Sequence, residues 1–180
     1  YDESHSNHVA RTAKKLFDSL KKNHALNERH RLLLEVASLL HDVGTFINQS
    51  AHHKHSYYIV RSSEIFGLNR DDISIISHVV RYHRKALPTS SHTEFVSLDW
   101  KTRVDIMKLA AILRFADALD SSHSQRVKLE KIIAKEETFE VLCKGMLDLS
   151  LEKISLKNKG DLFEEVYGMS VSLASGSSIF

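Results

Sequence analysis

Through the first two-thirds of the chain, apolar residues recur three and four apart, a spacing that predicts helices. Residues 3–24 carry Val9, Ala13, Leu16, Phe17 and Leu20 on one stripe. A second helix over 28–42 starts behind Asn27 as its cap. Its Leu32, Leu33, Leu34, Val36, Ala37, Leu39 and Leu40 cover most of the circumference, which predicts a central, buried position. Gly44 is the expected stop. A short helix over 55–66 ends at Gly67, and Asn69 caps the next, which sets Ile73, Ile76, Val80 and His83 on one face. Residues 85–95 hold the only proline among serines and threonines and predict a surface loop. A long helix follows over 103–119, with Ile106, Ala110, Leu113 and Asp117 aligned.

Near residue 126 the period shortens. Residues 127–145 predict two strands around a turn at Glu136, Glu137 and Thr138. Residues 147–167 read as a helix, 169–174 as a third short strand, and the last residues as a frayed tail. The expected fold is mainly α: a helical domain over residues 1–124, then a small ββαβ α+β subdomain over residues 125–180.

Composition changes this picture little. The 180 residues suit one domain, or one domain with an appendage. Hydrophobic content of 42% and charged content of 27% are those of a globular fold. A net charge of +2 gives no ground to expect nucleic acid as a partner. The single cysteine, Cys143, excludes an internal disulfide and a cysteine-rich metal site. No apolar run approaches the ~20 residues of a membrane span, and no signal peptide is visible. Starting at Tyr1, the chain reads as a piece of a longer cytoplasmic protein with no membrane partner. The outlying count is histidine: twelve, all before residue 124.

Several of these histidines fall at telling positions. In "LLHDVGTF", residues 39–46, His41 and Asp42 close the most leucine-rich helix. His8 lies at the edge of the first stripe, His83 on the Ile73–Val80 stripe, Asp117 on the Ile106–Leu113 stripe, and His55 at the start of the short helix. A single histidine on an apolar face is ordinarily a hydrogen-bonded core residue. Several buried imidazoles and carboxylates converging with nothing between them would leave unpaired polar groups, each costing about 1–3 kcal/mol. A divalent cation resolves this by accepting imidazole nitrogens and carboxylate oxygens together. Mn, Fe, Zn, Co or Ni suits mixed His/Asp donors, and Mg less well.

The ordered set His8, His41–Asp42, His55, His83, Asp117 resembles the H…HD…H…H…D pattern of metal-dependent HD-superfamily phosphohydrolases. Together with "HHKHSYYIV", "VVRYHRKA", "ILRFADALD" and "DLFEEVYG", it resembles the C-terminal domain of the exopolyphosphatase/guanosine pentaphosphate phosphohydrolase (Ppx/GppA) family over about residues 8–168. That resemblance implies the six residues as metal ligands. It also implies a likeness to domains that help form a homodimer and guide a long polyanionic substrate. Polyphosphate cleavage in the family is assigned to N-terminal actin-like domains with glycine-rich loops, and this chain has six glycines and no such loop.

A bound cation would polarise a phosphoryl oxygen and activate water, with Asp42 and Asp117 holding it or orienting the water. Lys54, Arg81, Arg84, Lys85, His52 and His53 are the expected phosphate contacts, with Arg61 and His78 nearby. Arg81, Arg84 and Lys85 read equally as a solvated helix end. Arg114, three residues before Asp117, could pair with it. Tyr57, Tyr58 and Tyr82 could line a pocket or serve as core. Three functions stay open: a metal-dependent phosphohydrolase domain acting on polyphosphate or guanosine polyphosphates, a non-catalytic accessory domain for polyanion binding and dimerisation, and a regulatory module whose metal is structural.

Overall fold

The computed structural model describes residues 1–84, 86–145 and 148–176. Helices α1 (Glu3–Ser19), α2 (Lys21–His24) and α3 (Glu28–Leu40) lead into a 3-10 turn, Val43–Phe46. Then come α4 (His52–Arg61), α5 (Arg70–Arg81), α6 (Thr93–Val96) and α7 (Trp100–Ala118). The C-terminal part holds β1 (Leu129–Ala134), β2 (Thr138–Cys143), α8 (Ser150–Lys159), α9 (Asp161–Tyr167) and β3 (Ser170–Ser175). The architecture is mainly helical with a small sheet, as the periodicity predicts.

Side-chain caps set the helix starts. Asp2 accepts from His5 N, Asp99 accepts from Thr102 N, and Asn27 and Asn69 each form a capping box, with His30 and Asp72 respectively. Each such cap is worth about 1 kcal/mol. The predicted first helix breaks at Leu20, and Ala25 stops α2 in the left-handed region at φ 53°. The short fourth helix starts at His52, three residues earlier than its apolar pattern suggests.

The central helix is α7 rather than α3. Leu32 of α3 is exposed, and Val36, Leu39 and Leu40 are only partly buried. In α7, Leu109 through Ala118 are buried without interruption. The reason is size: Ala110, Ala111, Ala116 and Ala118 let neighbouring elements approach α7 closely from several sides, whereas the leucine belt of α3 fills one side and a flank.

In the sheet β1 pairs antiparallel with β2, and β2 pairs parallel with β3. The crossover is carried by α8 and α9. These are one helix in the sequence pattern but break at Gly160, where a Cβ would stand 2.6 Å from the Leu156 carbonyl oxygen. Phe139, Val141 and Cys143 of the middle strand are buried. Phe115, Phe139 and Phe163 stack edge-on or tilted at centroid distances of 4.9–5.6 Å and join α7, β2 and α9. Such pairs add about 0.5–1.5 kcal/mol each beyond burial. One apolar cluster runs from Val9 to Leu173 through both parts of the chain. No helix among the described residues is long and apolar enough to cross a membrane.

Candidate metal centre

Five elements deliver polar side chains to one point. The start of α1 brings His5, the end of α3 brings His41 and Asp42, the start of α4 brings His52, the end of α5 is followed by His83, and the end of α7 brings Asp117. Gly44 lets the 3-10 turn lie against α4. A Cβ there would stand 2.3 Å from Ser56 N and 2.4 Å from the His52 carbonyl oxygen, and Gly44 N donates to Ser56 Oγ at 2.8 Å. That close approach presses His52 towards Asp42.

The distances describe a shared pit. Asp42 Oδ1 lies 3.1 Å from His52 Nε2 and 3.6 Å from His83 Nε2. Asp42 Oδ2 lies 3.5 Å from His41 Nε2 and 4.0 Å from His5 Nε2. Asp117 Oδ1 lies 3.5 Å from His5 Nε2. Among the described residues, three groups, His5–His41–Asp117, His5–Asp42–His123 and His41–Asp42–His83, each offer donor atoms within 4.8 Å of one another. His5, His41 and Asp42 each belong to two of them.

The other ring nitrogen of each histidine decides what the pit can hold. Nδ1 of His41 lies 2.7 Å from the Ser38 carbonyl oxygen, Nδ1 of His83 lies 2.6 Å from that of Val80, and Nδ1 of His52 lies 2.8 Å from that of Gln49. His5 Nδ1 lies 2.8 Å from Asp120 Oδ2. A carbonyl or carboxylate oxygen only accepts, so in each ring Nδ1 is the donor. In a neutral ring Nε2 is then a lone pair. Four Nε2 atoms and two carboxylates therefore face one another; the Nε2 atoms of His41 and His83 carry lone pairs, and those of His5 and His52 do so once they give up the proton that Asp117 and Asp42 favour there. His5 Nε2 and His41 Nε2 are buried without a hydrogen-bond partner, and the Nε2 atoms of His52 and His83 meet at 3.1 Å. Backbone or carboxylate anchoring of Nδ1 is the second shell that metal-ligating histidines ordinarily have, so the donor set fits a divalent cation.

The charges agree. Burial lowers the pKa of His41 and drives that of His83 well below its ordinary value, so both stay neutral. Burial opposes the charge of Asp42, but the hydrogen bond from His52 and the nearness of His41 and His83 hold it below the ordinary range. Burial likewise opposes Asp117, and Lys159 and His5 hold it well below. In His5 burial works downward, and Asp117 and Asp120 outweigh it, raising the pKa to about 9.

His41, Asp42, His83 and Asp117 thus meet. His8 and His55 do not join them. Counting back by fours from Ala13 and Val9 reaches His5, not His8, so α1 turns His8 toward Arg11 and Lys15 instead. His52, expected as a phosphate contact, stands at the position expected of His55. Once α4 starts at His52, its inward stripe is His52, Ser56 and Val60, and His55 lies beside the Gly44 turn. Among the other expected phosphate contacts, His53 sits amid Arg81, Arg84 and Lys54, and its pKa is pushed down to about 4 by burial first and those cations next. Arg81 Nη1 and His53 Nδ1 are buried without partners, and Arg84 donates to the Ser50 carbonyl at 3.2 Å. Lys85 lies outside the described residues. Buried His78 lies under the charges of Arg61 and Arg81 and lines, with Tyr57, Tyr58 and Tyr82, a separate cavity of about 250 Å³.

Arg114 does not pair with Asp117. It is buried and donates to the carbonyls of Tyr82 (2.7 Å) and Ala86 (2.8 Å) and to Asp161 (3.2 Å). The partner of Asp117 is Lys159 at the end of α8, on Oδ2. Sequence reasoning passes over Lys159, Asp120 and also His123, which stacks on His5 at 3.8 Å. Asp120 is the one with a readable signal, one turn beyond Asp117 on the same inward line.

The sequence model of the Ppx/GppA phosphatase family, domain III, matches residues 1–162. A guanosine-5'-triphosphate,3'-diphosphate pyrophosphatase from Photobacterium profundum is 26% identical over 113 residues. That stretch is 62% of this chain and 23% of that relative, so the chain matches less than a quarter of the relative's length.

Proposed function

The chain belongs to the Ppx/GppA phosphatase family through domain III of that family, and on this premise we propose that it is an HD-type, divalent-metal phosphohydrolase domain acting on phosphoanhydrides or phosphate esters such as polyphosphate or guanosine polyphosphates. The observation that carries the reading is the set of four histidines whose Nδ1 atoms are tied back, so that each turns its Nε2 towards Asp42 and Asp117. His5, His41, Asp42, His52, His83 and Asp117 would hold the ion, of Mn, Fe, Zn, Co, Ni or Mg type. When bound, it supplies Lewis-acid polarisation of a phosphoryl oxygen and a more acidic water. The chain's own residues do the rest. Asp42 and Asp117 orient the attacking water, and the unpartnered donors of Arg81 and His53, with Lys54 and Arg84, grip phosphate oxygens at the rim. Metal content of the purified chain and its turnover of tripolyphosphate with added Mn or Mg test this. Asp42→Ala is expected to remove both; turnover unaffected by that change would reject the hydrolase.

A second reading, an accessory domain that binds polyanion without cleaving it, draws support from Lys159. A lysine on Asp117 already neutralises one carboxylate of the pit. In either reading the chain works beside actin-like domains of a parent protein, in a cytoplasmic homodimer. Sedimentation of the isolated chain as a monomer at all concentrations would remove the dimer from the proposal.

A further inference from the structure

One further histidine at the pit repeats the arrangement of the four. His123 lies between α7 and β1, with its side chain 46% exposed. Its Nδ1 lies 3.1 Å from Asp2 Oδ2. A carboxylate oxygen only accepts, so Nδ1 is the donor and Nε2 is the nitrogen left to ligate. His5 has the same kind of anchor in Asp120, and a carboxylate behind the imidazole is what metal-ligating histidines ordinarily carry.

The place of His123 is set from three sides. Its ring lies on that of His5, with centroids 3.8 Å apart and planes 7° from parallel. Asp2 caps α1 by accepting from His5 N with Oδ1, and holds the His123 ring with its other oxygen. Asp120 holds the main chain on both sides: its carbonyl accepts from His123 N at 2.8 Å, and its carboxylate accepts from Gln125 N at 2.7 Å. The two aspartates that fix His5 therefore fix His123 as well. The result is a donor nitrogen of His123 within 4.8 Å of donor atoms of His5 and Asp42. His123 and Gln125 stand at φ 52° and 51°, in the left-handed region, which costs a residue with a side chain about 1–2 kcal/mol. A solvated ring with no task needs no such placement, and strain of this kind collects where a side chain must be held at one point.

We propose that His123 is a further ligand of the metal centre, joining His5 and Asp42 from the solvent side through Nε2. The inference rests on the metal centre proposed above and extends it beyond the six residues named there. Those six come from helix ends and are largely buried, whereas His123 comes from a loop and is the member that solvent reaches. An added imidazole also tilts the donor set towards Zn, Fe or Ni and away from Mg or Mn.

The test loads the full 180-residue chain, labelled on nitrogen, with cadmium as an NMR-active stand-in for Zn. A ligated ring nitrogen shows scalar coupling to the metal; a ring that only stacks on His5 shows none. Coupling to His123 Nε2 is expected beside coupling to His5 and His41. Two substitutions then divide the ring's roles. His123→Phe keeps the face that stacks on His5, and His123→Asn keeps a side chain that tolerates the left-handed backbone. Both lose the imidazole, and both should weaken Zn binding by roughly tenfold or more, since even a partner behind a ligand is worth that much. The loss should be greater for Zn than for Mn. Cadmium coupled to His5 and His41 but not to His123 would overturn the inference and leave the metal centre standing, and so would wild-type Zn affinity in either variant or a loss no greater for Zn than for Mn. Coupling to no histidine at all would overturn the metal centre and this inference together.

Discussion

His5 and His8 stand one turn apart on α1, and the two regions they serve are electrical opposites. Around His5, two carboxylates and three further imidazoles present electron pairs, and every imidazole has its Nδ1 tied to an oxygen. Around His8, Arg11, Lys15, Lys128 and Lys144 line a cleft between α1 and the sheet, with no carboxylate among its lining residues. The first region gathers negative charge and imidazole nitrogens, the second positive charge. The difference teaches that residue type alone does not make a histidine a ligand. What matters is where its second nitrogen is bound and which charges share its pocket. Asp120 anchors His5, and is itself fixed by Gln125 N donating to Oδ1 at 2.7 Å. His8 has no carboxylate in that role: its Nε2 is unpartnered, and the backbone of Val127 is the hydrogen-bonding group beside it.

The largest effects should separate the regions completely. Asp42→Ala should bring bound metal, read by elemental analysis, to background. Lys128→Gln/Lys144→Gln changes charge only in the second region and should leave bound metal at its wild-type value. If that variant strips the metal as well, the two regions are one site, and the comparison fails.

Asp120→Asn should act next most strongly. It keeps the side chain's size but weakens the acceptor that fixes the His5 tautomer. Loss of such a second-shell partner typically costs about 10–100-fold in metal affinity. A competition titration with a metal indicator reads it. Unchanged affinity would mean that His5 does not ligate.

Much of this is readable in the chain, and the failures have physical causes. The stripes of α1, α5 and α7, the Asn27 and Asn69 caps, and the hairpin follow from period and capping chemistry. His41 and Asp42 stand out because a polar pair ends an apolar helix. The phase of α1 is also available, since Val9 and Ala13 point back to His5, but the eye goes to His8 beside Val9. His55 stands out over His52 because the polar run "AHHKHS" hides the helix start, which the backbone packing at Gly44 decides. Lys159 is not legible. It reaches Asp117 across 42 positions through the packing of α8 on α7, and no local pattern marks it. Nor is the central place of α7, because its alanines score as weakly apolar while permitting the closest packing.

Lys159→Met should have a smaller, two-signed effect. Asp117 is buried, so removing its ammonium partner should lower the stability of the metal-free chain by about 1–2 kcal/mol. The same change removes a positive charge beside the ion, so metal affinity should rise rather than fall. Thermal melts with and without metal should show the variant gaining more from metal than the wild type does. A fall in metal affinity would instead make Lys159 a support for the site.

The smallest effect is the most direct contrast between the two histidines. In the metal-free chain the pKa of His5 is raised to about 9, against burial, by Asp117 and Asp120. The pKa of His8 is lowered, chiefly by burial, with Arg11 adding to it. A raised pKa means that the folded chain holds its proton more tightly than the unfolded one. The contribution of His5 to stability is therefore full below the ordinary value near 6.5 and lost as pH climbs through about 9. For His8 the sign reverses: its contribution is full above about 6.5 and lost as pH falls below it. His5→Gln should flatten the alkaline side of the melting curve's pH dependence, and His8→Gln the acidic side. Each effect should amount to a few degrees, since about 1 kcal/mol moves a chain of this size by roughly 2–4 °C. Ring titrations by NMR give the same answer residue by residue. A His8 ring that keeps its proton above pH 7, or a His5 ring that has lost its own there, would erase the opposition between the two faces of α1.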